Sequence, residues 1–311
     1  MYYIKASSLI SVQNSFQNKN WSEEIIPVED INNYPTIEYS QFLPPASLRR
    51  LSPILKNALC AAISCKNETE EDFDSIIVGT SLGCLQDTEK FLQNIHSSLK
   101  SNVSVSPTAF IQSTHNTIGG QISLFLKNHS YNMTHTQNSL SLENALIDAM
   151  LCVNENKKNV LVGSADETIP FLDELDTVIS HSNLPFTYSA GFICLGPKED
   201  SRYKAKLIDV KTHHDKNNVS SCLNDFLTKN DLKIEEIDLL LHSSKHLEDE
   251  KIIESFNHSL CYSNFSGFHY SNALFALHLA INKIELNSNI KSVLIYNHLL
   301  NNSFALTLLK Q

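Results

Sequence analysis

Arginine is almost missing from this chain. It occurs only at Arg49, Arg50 and Arg202 among 311 residues, and 24 Lys+Arg against 34 Asp+Glu leave a formal net charge of −10. General nucleic-acid binding needs a basic face that neutralises phosphates, so that class of function is excluded. Long apolar runs are missing as well, since none approaches the roughly 18 residues of a membrane span. The opening stretch "MYYIKASSLISV" lacks the charged-then-apolar layout of a signal peptide and looks like a first strand. The seven cysteines have no regular spacing and are odd in number, which argues for free thiols in a reducing compartment; the expected location is the cytoplasm.

What is present is an alternation of strand-like and helix-like patterns from end to end. Strands are expected at Tyr3–Val12, Ser75–Val78, Tyr131–Thr136, Val160–Gly163 and Tyr188–Leu195, and again at Tyr203–Lys211, Ile237–His242, Leu260–Tyr262, Val293–Tyr296 and Phe304–Leu309. Helical patterns of 10–18 residues lie between them, which implies βαβ units and a mainly parallel, covered α/β sheet. The two series look like distant copies, each ending in two strands with little between them. The boundary is expected in the polar stretch "GPKEDSRYK", which divides the chain into 1–200 and a shorter 201–311.

The stretch "SYNMTHTQNSLSLENALIDAM" reads as a strand, a polar turn and a buried helix, the place where α/β enzymes often expose a nucleophile. This turn offers Gln137, Asn138, Ser139 and Ser141 but no cysteine. Ser139 is equally a helix cap, with Glu143 adding first-turn negative charge. Elsewhere, Cys84 is the thiol nearest a glycine loop, although buried structural thiols outnumber reactive ones. His242 and His246 in "HSSKH" have i,i+4 spacing, but one lies on a strand end and no HExxH pattern is present, so no metal site is expected. His213 and His214 are adjacent and expected to be exposed. Arg49 and Arg50 form the one dense basic point, at the start of an amphipathic helix. The apolar segment "FIQSTHNTIGGQISLFL" fits a helix at a subunit interface or a plain core helix.

Repeat order and local strings together resemble the thiolase-like fold, and within it the β-ketoacyl-acyl-carrier-protein synthases. The strings are "IIVGTSLGCLQDTEKFL", "SPTAFIQSTHNTIGGQISLFL", "NVLVGSADE" and "NSFALTLL". The resemblance implies duplicated β-α-β-α-β-α-β-β halves in an αβαβα layered structure. It also implies an elbow cysteine and two histidines acting on acyl chains that a carrier protein presents on phosphopantetheine, with no other cofactor. "LLLHSSKHLEDE" places the first histidine at His242, and "GFHYSNALFALHLA" the second at His269. Ser139 falls where the cysteine belongs, and the glycine-rich closing loop that supplies an oxyanion amide reads "YNHLLNNSF" here, so a preformed hole is not expected. In the same carry-over Gln137 and Asn301 become substrate-binding positions, and Arg49 and Arg50 a dock for an acidic carrier protein.

Loss of the thiolate disables condensation, because a serine alkoxide needs an adjacent general base. The turn is similar to chain-length-factor-like proteins of aryl polyene and flexirubin-type pigment clusters. The expected function is therefore a non-catalytic partner of a catalytic ketosynthase, in a heterodimer that also meets acyl carrier protein. The alternative is an enzyme, either a Ser139 acyltransferase or a malonyl-carrier decarboxylase using His242 and His269. The plain alternatives are a hydrogen bond to a loop carbonyl for His242 and capping or packing for His269.

Overall fold

A computed structural model describes the chain except for residues 102–103, 173, 175–183, 198–202, 215–217, 244–248 and 301–302. All ten expected strands are present. In the first half, β1 (Tyr2–Ile10) leads through α1 (Pro45–Leu48) and α2 (Pro53–Thr69) to β2 (Ser75–Gly79). The chain continues through α3 (Leu85–Ser101), α4 (Pro107–Gln112) and α5 (Thr117–Leu126) to β3 (Tyr131–His135), then α6 (Ser141–Asn154), β4 (Val160–Asp166) and β5 (Ser189–Gly196). The second half repeats the scheme with β6 (Ala205–His213), α7 (Val219–Lys229), β7 (Leu239–His242), α8 (Glu250–Glu254), β8 (Ser259–Cys261), α9 (Ser263–Ser266), α10 (Ala273–Leu286), β9 (Ser292–Leu300) and β10 (Ser303–Lys310).

The strand order is β3-β2-β4-β5-β1-β6-β10-β9-β7-β8, which reads the same from either end once β6–β10 are matched to β1–β5. The halves meet where β1 pairs antiparallel with β6 over Tyr2–Ile4. The expectation of a mainly parallel sheet is corrected. Four pairings are parallel, β2 with β3 and β4, and β7 with β8 and β9, while the other five are antiparallel. At the end of each half the last two strands, β4 with β5 and β9 with β10, are neighbours that run antiparallel.

Strand residues alternate between two cores, as two-sided burial requires. Ile77, Val162, Ile193 and Ile295 join α6 and α10 in a central cluster that takes strands from both halves. Ile76, Val78, Leu161 and Phe192 face α2 and α5 in a second cluster. Leu294, Leu306 and Leu308 face α7 in a third. The layers are therefore helix, sheet, helix, sheet, helix. A bulge between Ile4 and Ala6 switches β1 between faces, so Ile4 joins the central core and Ala6 the outer one. Among the described residues no helix is long and apolar enough to cross a membrane.

Gly79 sets how closely β2 approaches the start of α6. A Cβ there would lie 2.5 Å from the Ser141 carbonyl oxygen and 2.8 Å from the Leu142 nitrogen, both backbone atoms that cannot swing away. Gly79→Ala is expected to cost about 1–3 kcal/mol by overpacking, read as a lowered urea midpoint with an unchanged slope.

Candidate functional site

The turn between β3 and α6 is built on a left-handed residue, Asn138, with φ of +48°. A 3-10 turn over Asn138–Leu140 follows before α6 begins at Ser141. Ser141 fastens the turn: its Oγ accepts from the Gln137 N–H at 2.8 Å and donates to the Asn138 carbonyl at 2.7 Å. Gln137 is exposed. Ser139, the residue that counting places at the elbow, is 1% exposed, and its Oγ makes no hydrogen bond among the described residues. It is neither presented to solvent nor used as a cap.

Its surroundings are polar and filled. The Asn297 side chain, from β9, donates to the Ser139 carbonyl at 2.8 Å and to Glu143 Oε1 at 2.7 Å. Longer contacts of 3.5 Å bring the Ser243 and Tyr262 hydroxyls to Asn297 Oδ1. Ser243 Oγ also accepts from the His298 N–H at 2.8 Å. Glu143 sits in the first turn of α6 as the sequence suggests, but it points inward. Burial pushes its carboxyl up from 4.5 to about 7, against the opposing pull of Asn297. The second Glu143 oxygen has no hydrogen-bond partner among the described residues.

The two histidines come from other elements. His242 ends β7 opposite Tyr296 of β9, is 8% exposed, and its carbonyl accepts from the Tyr262 N–H at 3.0 Å. His269 precedes α10 and is held at both ring nitrogens. Thr187 Oγ1 gives its only proton to the Ser266 carbonyl at 2.6 Å, so at 3.0 Å it must accept from His269 Nδ1–H. Nε2 is then bare and accepts from the Ser189 hydroxyl at 2.7 Å. Burial lowers the His269 pKa to about 3, which keeps the ring neutral. A neutral ring whose one N–H is committed has no donor left for a thioester oxyanion.

Three features escaped sequence reading: the Asn297 bridge, the Asp166 anchor and a buried dyad on β9. Asp166, at the end of β4, accepts from Thr80 Oγ1 at 2.8 Å and from the Ser81 and Leu82 N–H groups at 3.0 and 3.1 Å. It also accepts from the Ser271 hydroxyl, which joins the loop after β2 to the start of α10. His298 Nδ1 lies 2.7 Å from Asp249 Oδ2, and the Tyr296 hydroxyl donates to Oδ1 at 2.8 Å. Only the "VGTS" and "GSADE" strings pointed toward any of this; Asn297 and Asp249 belong to no local pattern.

Arg49 and Arg50 are exposed in the turn before Pro53 rather than inside the helix. Cys84 is buried, and desolvation foremost, then Glu167, Asp87 and Asp166, drive its thiol far up, which makes it a poor nucleophile. His214 is exposed, but His213 is half-buried and stacks on Phe304 at 4.7 Å. Asn301 and His246 lie outside the described residues. Among the described residues, no group of three His, Cys, Asp or Glu side chains is placed to hold a metal ion.

Residues 19–251 match the family model of the β-ketoacyl synthase N-terminal domain. The chain belongs to the β-ketoacyl synthase family. No curated protein matches it. Solved structures with the same fold include the ishigamide ketosynthase/chain length factor, at 14% identity and a TM-score of 0.78 over 99% of both chains. A second is AntDE:AntF, a type II polyketide acyl-carrier protein in complex with its ketosynthase bound to the hexaketide, at 13% and 0.80, again over 99% of both. A third is the ketosynthase ApeO in complex with its chain length factor ApeC from Xenorhabdus doucetiae, at 16% and 0.62, over 100% of this chain and 99% of that one.

Two outcomes are expected of the Asn297–Glu143 bridge. Asn297→Leu keeps the volume but strands two buried acceptors, a loss of about 2–4 kcal/mol measurable in urea. Glu143, whose folded pKa rises from 4.5 to about 7, holds a proton in the folded state that the unfolded chain releases. Its contribution is full below the unfolded value and is lost as pH rises through the folded one, by about 3 kcal/mol. Glu167, also raised from 4.5 to about 7 by burial, acts in the same direction. Glu143→Gln should therefore flatten part of the decline in stability between pH 4.5 and 7 and stabilise the protein above neutrality.

Proposed function

We propose that this chain is a non-catalytic, chain-length-factor-like subunit that pairs with a catalytic ketosynthase in polyketide or polyene-pigment synthesis. The observation that carries the reading is the state of His269: its single N–H is spent on Thr187, and its bare nitrogen is taken by Ser189. Ser139, buried and without an adjacent base, adds to it. Solved relatives described as ketosynthase/chain length factor pairs support the same role.

The surface supports pairing. β3 is the outermost strand of its half, so its far edge is unpaired, and it exposes Tyr131 and Met133. The helices beside it carry exposed Leu124 on α5 and Leu151 on α6, and α4 adds Phe110 and Ile111. An unpaired edge with apolar flanks invites another sheet. The expected partner is the larger ketosynthase, joined through an interface burying more than about 2,000 Å². The acyl carrier protein, acidic and bearing phosphopantetheine, would meet Arg49 and Arg50, the densest cationic point on a chain of net charge −10.

Three measurements test this role. Incubated alone with acyl-carrier protein, the chain is expected to gain no acyl mass; an adduct on Ser139 in intact-protein mass spectrometry makes it an acyltransferase instead. Malonyl-carrier protein should release carbon dioxide no faster with the chain than without it, and a rate abolished by His242→Ala with His269→Ala reverses the assignment. Co-expressed ketosynthase should co-elute with it as a heterodimer, and Leu124→Glu with Met133→Glu should separate them; a stable monomer indifferent to any ketosynthase contradicts the role.

A further inference from the structure

β8 is the outermost strand of the second half and lies at the opposite end of the sheet from β3. One side of its backbone is committed to β7. The His258 carbonyl accepts from the Leu240 N–H at 2.9 Å, and the Tyr262 N–H donates to the His242 carbonyl at 3.0 Å. Alternate residues of a strand face opposite ways, so Ser259, exposed and next to His258, turns its N–H and carbonyl to the outer edge. No further strand pairs there among the described residues. Beside that edge lies a groove of about 560 Å³, bounded by the first residues of β7 and β8 and the last turn of α10. It shares no residue with the group around Ser139 and Asn297.

The floor of the groove is apolar. Leu239, Leu260 and Ile290 pack on the margin of the central core and stay only partly buried, and Leu286, in the last turn of α10, is 38% exposed. The rim is acidic. Glu23, from the 3-10 turn Trp21–Glu23 of the first half, and Glu235, from the turn Ile234–Glu236, are exposed, and neither enters an ion pair among the described residues. Asp238 is fixed beside them, its Oδ2 accepting from the Lys291 and Ser292 N–H groups at 2.8 and 2.9 Å. α10 ends in the groove and adds the partial negative charge of a helix C-terminus. Against these, Lys283 is the one cation in the lining among the described residues. Lys233 and Lys291, which flank the lining in sequence, are matched by Glu24 and Glu236, which do the same. An acidic partner is repelled by this rim, and a bare inorganic cation would leave the floor wet. Apolar side chains carried between cationic ones satisfy both floor and rim. The Ser259 edge can align a short extended backbone, while the three residues of β8 are too few to seat a second sheet.

We propose that this groove docks a short extended segment of a partner protein, with apolar residues two positions apart on one face and lysine or arginine on either side of them. The partner differs from the one expected at β3 and from an acidic carrier protein, and the site does not depend on how β3 is used. The test is fluorescence anisotropy on the full chain with three rhodamine-labelled peptides. GSKLSVKSG carries both features, GSELSVESG reverses the charge and GSKSSSKSG removes the apolar pair. Saturable binding is expected of the first, none of the second, and binding about tenfold weaker of the third. Glu23→Lys with Glu235→Lys should weaken the first peptide about tenfold and reduce its salt dependence. Leu286→Ser should weaken it with the salt dependence unchanged, and Met133→Glu, at the far end of the sheet, should leave it as it was. Melting temperatures accompany each variant, and if the double variant does not fold, Leu286→Ser decides. Absence of saturation by GSKLSVKSG overturns the proposal, as does equal binding of GSELSVESG or binding unchanged in the groove variants. Equal affinity for GSKSSSKSG also overturns it, since general attraction to an acidic protein then suffices.

Discussion

One side-chain amide joins the two halves of the molecule at the turn before α6. Asn297 reaches from β9 to the Ser139 carbonyl and the Glu143 carboxyl at the head of α6, tying the first half of the molecule to the second. Both acceptors are buried, so neither has water as an alternative partner, and the bridge cannot be released without leaving them bare. A substitution at Ser139 alone would leave the bonds of Asn297 to Glu143 and of His269 to Ser189 and Thr187 in place.

How much of this was legible follows from what a local pattern records. Strands covered on both faces leave apolar runs, and all ten showed, together with the repeat that pairs them. Strand order leaves no such mark, and the mainly parallel sheet expected from the helix alternation proved mixed. The turn after β3 was found, but its backbone was not: the left-handed residue is Asn138, and the residue that ties the turn is Ser141.

The histidines illustrate the same limit. His242 and His269 were named from motifs on neighbouring residues, and both end at strand or helix termini as expected. What decides the chemistry of His269 is a pair of hydroxyls about eighty positions earlier in the chain, Thr187 and Ser189. A tautomer is set by such distant partners and is not written next to the histidine. Asn297 is hidden for a similar reason: inside a buried strand it reads as an interruption of an apolar run, and only the fold shows what it reaches.

The doubled topology has equivalent outer strands at its two ends, β3 and β8, yet they are unequal. β3 is five residues long with exposed Tyr131 and Met133, whereas β8 has only three residues, Ser259–Cys261. A sheet with one long and one short outer edge offers a second sheet far more backbone at one end than at the other. Under the proposed pairing through β3, the asymmetry between duplicated halves would end edge pairing at two chains instead of letting it run on as a fibre.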